Sequence, residues 1–197
     1  MRFITKTGMM RPLIMLLFFL PIFTTGCGAT DNNARSDYRS AYIDFLGNIN
    51  EAGVDERGTE ICSYYLYDID KDKTPELLVE YGIYASEKHV WIYQYAEGEV
   101  QRIDMIPTVH SSLYAYPDGN GILECWTYGG GEEIYLNTLN DSKLTSEVLY
   151  SGSTIYENPD TGDFDTEFTH PQDVVPGAYI LTSYAPDDIY TIEKYED

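Results

Sequence analysis

The sequence predicts a mainly β, antiparallel meander with one N-terminal α-helix, in the form of an open sheet, a sandwich or a partial propeller. Three observations carry this. Seven short runs rich in β-branched and aromatic residues follow one another between Ile61 and Tyr150. The links between them are tight and turn-forming, which suits antiparallel neighbours, since parallel ones need crossovers of roughly a dozen residues. Only Asp37 to Ala52 carries an apolar stripe at helical spacing.

Ahead of this domain stands an export leader. Arg2, Lys6 and Arg11 make a basic start with no acidic residue before Asp31, and Leu13 to Phe23 is a short apolar run broken by Pro21. That run is too short to span a bilayer, which takes about 20 apolar residues. Thr24, Thr25 and Gly26 then lead into Cys27. The segment resembles the lipobox of bacterial lipoproteins, in which a small residue precedes the cysteine that receives a diacylglyceryl group, although Thr24 stands where Leu is usual. The resemblance implies cleavage before Cys27, lipidation there, and an extracytoplasmic domain tied to the membrane by acyl chains. The alternative is ordinary cleavage after Ala29. On this reading residues 1–26 are the signal peptide, 27–35 the attachment point and a polar tether, and 36–197 one domain.

Charge narrows the partners. The chain has 12 basic and 33 acidic residues, a formal net charge of −21, and loses three basic residues with the leader. Such a surface repels phosphate backbones and anionic lipid headgroups, which excludes nucleic acid as the expected partner. With 14% aromatic residues the chain is not of disordered composition.

In the helix, Tyr38, Tyr42, Phe45, Leu46 and Ile49 form the stripe, with Ser36 placed to cap its start and Gly53 to end it. The predicted strands are Ile61 to Tyr67, Leu77 to Tyr81, His89 to Tyr95, Val100 to Ile106, Ile122 to Tyr128, Glu133 to Leu139 and Leu144 to Tyr150. Glu97-Gly98, Asp118-Gly119-Asn120-Gly121, Gly129-Gly130-Gly131 and Asn140-Asp141 supply turns. Tyr156 to Asp173 is polar and turn-rich, whereas Ala178 to Tyr184 and Ile189 to Tyr195 have the composition of two final strands. Cys62 and Cys125 each fall within a predicted strand. In an oxidising compartment they suit either a disulfide or two buried thiols.

One motif carries chemistry. The run from Asp68 to Leu77 places carboxylates at positions one, three, five and nine between two strands, as Asp68, Asp70, Asp72 and Glu76. A loop wrapped around calcium turns alternate oxygens inward to meet the ion's six to eight ligands, and the Thr74 carbonyl at position seven would add one. The run resembles the calcium loop of FG-GAP and VCBS-type repeats, where an aspartate-rich turn joins two strands and ends in Pro, an acidic residue and an apolar one. That resemblance implies a bound Ca2+. Lys71 and Lys73 depart from it by standing where glycines are common, and a left-handed conformation costs a non-glycine residue about 1–2 kcal/mol. Only one clear loop occurs, so a complete propeller of four or more blades is not expected. The other acidic groups read differently. Asp118 and Asn120 read as a turn, and Asp160, Asp163, Asp165 and Glu167 lack the spacing of the loop.

No catalytic signature accompanies the loop. His89, His110 and His170 are far apart for a zinc site, and there is neither a nucleophile elbow nor a phosphate loop. His110-Ser111-Ser112 places adjacent residues on opposite faces of a strand. Tyrosine is abundant, 19 in the chain. Tyr64, Tyr65, Tyr67, Tyr81, Tyr84, Tyr93 and Tyr95 serve either a half-buried sheet or a platform for a glycan or protein ligand. The expectation is a noncatalytic, calcium-stabilised binding module at the cell surface; the alternative is a small secreted carboxylate-dependent hydrolase.

Overall fold

The computed structural model describes residues 31–195. The leader, Cys27 and the first part of the tether lie outside the described residues. The fold is mainly β, two open antiparallel sheets with helices against them.

Helix α1 (Asp31–Ala52) lies across the first sheet, which is the meander β1 (Ile61–Tyr67), β2 (Glu76–Tyr81), β3 (His89–Ala96) and β4 (Glu99–Ile106) in spatial order of sequence. A second meander follows as β5 (Ser111–Ala115), β6 (Ile122–Tyr128), β7 (Gly131–Asn140) and β8 (Lys143–Ser153). A small hairpin, β9 (Ile155–Glu157) with β10 (Phe164–Thr166), projects after it. The chain then passes through α2 (Pro171–Val174), adds β11 (Tyr179–Ile180) beside β5, and ends in α3 (Tyr190–Lys194).

Strand alternation sets the layers. One face of the first sheet, with Leu66, Leu77, Val79 and Tyr93, packs under Tyr38, Tyr42 and Leu46 of α1 and Ile192 of α3. The other face, with Tyr67, Leu78, Val90, Ile92 and Ile106, meets Leu113, Ala115, Ile122 and Leu139 of the second sheet. The second sheet's far face holds Leu123, Ile134 and Leu136 against Val175 and Ala178. Burying a side chain of this size contributes about 1.5–3 kcal/mol, so these three layers supply the main drive to fold.

Several expectations need correction. The chain is already helical at Asp31, the first described residue, so Ser36 lies inside the helix and the later part of the expected tether is helical; no Gly or Pro interrupts that stretch. Gly53 does end the helix, at φ +70 with its amide donating to Ile49. Strand β5 was not expected, because Ser111 and Ser112 disguise it. Ile189 to Tyr195 is largely helical rather than a strand, since Ile189, Ile192 and Tyr195 recur every third residue and pack on the α1 side. Ala178 to Tyr184 is a two-residue strand prolonged by single links, Leu181 to Leu113 and Tyr184 to Tyr64.

Among the described residues, Cys62 and Cys125 are free. Cys62 is on β1 and Cys125 on β6, in different sheets, with Cys125 packed on the second sheet's far face. Burial, then the neighbouring Glu80, pushes the Cys62 thiol up to about 11, and burial, then Glu124, pushes Cys125 up to about 12. Both act as small packing residues with little thiolate at neutral pH.

Candidate functional site

The Asp68–Glu76 loop joins β1 to β2 and is fastened on three sides. Ile69 is fully buried in the core between the sheets, and its carbonyl accepts the Gly121 amide at 2.8 Å, from the loop between β5 and β6. The Tyr42 hydroxyl of α1 donates to the Pro75 carbonyl at 2.9 Å and accepts from the Tyr95 amide at 3.0 Å. At the foot of the loop the Tyr67 hydroxyl donates to the Tyr116 carbonyl at 3.0 Å and accepts from the Tyr116 amide at 2.9 Å. The loop is therefore a joint where helix, first sheet and second sheet meet.

Within it, Asp68, Asp70 and Glu76 bring one carboxylate oxygen each to within 4.8 Å of one another. Glu76 is fully buried. Its Oε2 accepts the Ile69 amide at 2.8 Å, while Oε1 is buried with no hydrogen-bond partner. Burial raises its pKa to about 9, opposed by the Ile69 hydrogen bond and reinforced by the charges of Asp70, Asp68 and Asp72. Burial likewise raises Asp70, followed by the charge of Asp72. A buried, unpaired carboxylate costs several kcal/mol unless it is neutralised or paired. A cation among the three oxygens would supply that pairing, and hard carboxylate oxygens are the donors that calcium takes.

Asp72 lies outside this group of three. Asp72 is exposed, and its Oδ1 accepts the Thr74 amide at 2.7 Å, so it shapes the turn rather than joining the three. The Thr74 amide donates within that turn and is a separate group from the carbonyl expected as a ligand. Asp68 and Asp70 also accept the Asp72 amide, each at 3.1 Å. The left-handed conformations anticipated at the lysines are present, φ 64 at Lys71 and φ 76 at Lys73. Lys71 is held there by Nζ donating to the Asp68 carbonyl at 2.7 Å and the Tyr67 hydroxyl at 2.9 Å.

The remaining candidates resolve simply. Asn120 fastens β7, its side chain donating to the Leu139 carbonyl and accepting the Leu139 amide. Among the described residues, Asp160, Asp163, Asp165 and Glu167 do not form a ligating group. Ser111 donates to Glu124 at 2.8 Å, and the His110 ring stacks on Tyr128 at 4.2 Å, so these residues form no triad. Of the seven tyrosines that suit either a half-buried sheet or a platform, Tyr64, Tyr67, Tyr81 and Tyr93 are buried, and only Tyr84 stands well out.

Sequence reasoning missed two sites. Asp55, in the turn after α1, accepts from His89 Nε2 at 2.7 Å, from Trp91 Nε1 at 3.2 Å and from the Arg57 and Thr59 amides at 2.9 Å each. The other is a cleft at the side of the second sheet, where Glu124 is buried and burial raises its pKa. Comparison of the chain with family models, with curated proteins and with solved structures gives no match.

Proposed function

We propose that this chain is an extracytoplasmic lipoprotein, attached to its membrane through Cys27, whose β domain is a noncatalytic binding module stabilised by one calcium ion. The observation that supports the ion is Glu76, a fully buried carboxylate with one oxygen unpartnered beside Asp68 and Asp70. The loop holds α1 and both sheets, so an ion there would act on the whole domain rather than on a surface turn. No described helix is long and apolar enough to cross a membrane, and attachment in this reading is by acyl chains alone. Equilibrium dialysis against calcium tests the site: one ion per chain is expected, and none in Glu76→Gln. Uptake that is unchanged in that variant would place the ion elsewhere and refute the assignment.

A hydrolase is the second reading, favoured by Glu124. Its raised pKa suits a general acid, and Glu133 and Asp104 line the same cleft. Release of reducing ends or amines from a substrate panel, lost in Glu124→Gln, would favour this reading over the first.

A further inference from the structure

On the inner face of the second sheet, Leu113, Ile122 and Leu139 pack into the shared core. Farther along that face, β6 and β7 pair Glu124 with Tyr135 and Trp126 with Glu133, so strand alternation puts all four side chains on the side that faces the first sheet. There Asp104 and Met105 of β4 and Leu144 and Ser146 of β8 wall a hollow. The result is a cleft of about 540 Å3, lined by these four residues together with Asp104 and Asn137, within the size range of small-molecule sites.

Its chemistry is selective. The lining contains three carboxylates and no Lys, Arg or His, which disfavours phosphates, uronates and other anions. Trp126 is held by its neighbours: a Cβ at Gly131 would lie 3.3 Å from the indole, so the glycine lets the ring rest against the β6–β7 turn. Asn137 is 3% exposed and sits beside Glu124, whose carboxyl its amide helps hold down, yet no hydrogen bond of ordinary geometry reaches its Nδ2. An amide NH2 carries two N–H donors, so with one turned to Glu124 the other is left for an acceptor on a ligand. An ammonium ion would satisfy the carboxylates but offers no acceptor to Asn137. A sugar ring offers hydroxyls that both donate and accept, and an apolar C–H face to lie on an indole.

We propose that this cleft binds a neutral saccharide of one or two rings, stacked on Trp126, with hydroxyls donating to Asp104 and Glu133 and accepting from Asn137. This rests on the binding-module reading and names its ligand class.

The intact protein is applied to a glycan array of neutral, amino and uronic sugars. The strongest neutral disaccharide is then titrated by calorimetry and Trp fluorescence, with spermidine as a cationic control. Neutral sugars should exceed uronic ones, and Trp126→Ala should weaken binding at least tenfold, with Trp126→Phe restoring most of it. Asn137→Ala and Glu133→Gln should each weaken it severalfold. Thermal melts with calcium show that each variant is folded. Absence of neutral-sugar binding, binding indifferent to Trp126→Ala, or binding of spermidine alone would overturn the proposal. If sugar binding fails while the calcium-dependent melting shift persists, the saccharide assignment falls and the calcium module stands. Turnover of the bound sugar would support the cleft and refute the noncatalytic reading.

Discussion

The Ile69 backbone is held on both sides, its N–H donating to Glu76 and its carbonyl accepting the Gly121 amide, each at 2.8 Å. One residue thus links the acidic loop of the first sheet to the corresponding strand connection of the second. Gly121 is fitted for this, with φ +148 and no room beside it: a Cβ there would lie 2.6 Å from Leu136 Cδ1. Gly121→Ala should therefore destabilise the domain by about 1–3 kcal/mol through overpacking and backbone strain. Urea unfolding checks this, and an unchanged midpoint would mean that the joint yields freely.

Lys73 is exposed in a left-handed conformation at φ 76. Lys73→Gly relieves strain of about 1–2 kcal/mol against a loss of about 0.4–1 kcal/mol to the freer unfolded chain. A net gain of about 0.5–1 kcal/mol in chelator is expected, together with tighter calcium binding because a like charge leaves the loop. Lys71→Gly should gain nothing, since it forfeits the hydrogen bonds to Tyr67 and Asp68. Melting of the two variants side by side separates them.

Asp55 predicts an acid limb in the stability profile. Burial pushes its carboxyl up, but the Thr59 amide, His89, Trp91 and the Arg57 amide together outweigh burial and hold it below the usual range. The folded state then releases this proton more readily than the unfolded chain does. Its contribution is complete above the ordinary carboxylate pKa of about 3.9 and is lost as pH falls through the lower folded value. Asp55→Asn should cost about 2–3 kcal/mol at neutral pH, the worth of a buried charge-assisted hydrogen bond, and should flatten the profile below about pH 4. Denaturant midpoints measured from pH 2 to 7 test both.

Cys27→Ser should leave the protein exported but release it from the membrane fraction, since the Cys27 thiol is the expected attachment point. Metabolic labelling with a fatty acid analogue and fractionation check this. A membrane-bound variant would rule out attachment through Cys27.

Much of the architecture was legible because strand signals are local. Ile61–Tyr67 and Ile122–Tyr128 match their expected bounds, and the links at Glu97-Gly98 and Gly129-Gly130 are tight turns with positive φ at Glu97, Gly98, Gly129 and Gly130. Of the acidic loop, spacing identified Asp68, Asp70 and Glu76. It could not show that Asp72 turns aside to bond the Thr74 amide, because that depends on the path of the turn. Nor could it show the cleft. Glu124 and Glu133 are nine residues apart, and only the β6–β7 register, with Trp126 opposite Glu133, puts them on one face. The alternation of Glu124 and Trp126, mirrored by Glu133 and Tyr135 across a glycine turn, was the available signal. The Asp55 cluster had no such signal, since His89 lies 34 residues from Asp55 and reaches it only through the fold.

The proposed calcium ion would sit among Glu76, Asp68 and Asp70. Thermal melts with chelator and with several millimolar calcium test it most directly, read for the wild type, Asp70→Ala and Glu76→Gln. At a dissociation constant on the order of 0.1–1 mM, calcium at ten times that value stabilises the folded state by about 1.4 kcal/mol, a rise of roughly 3–5 °C for a domain of this size. The wild type should show that rise, and neither variant should. A wild-type midpoint indifferent to calcium, or a rise that survives in both variants, would contradict a calcium ion at this joint.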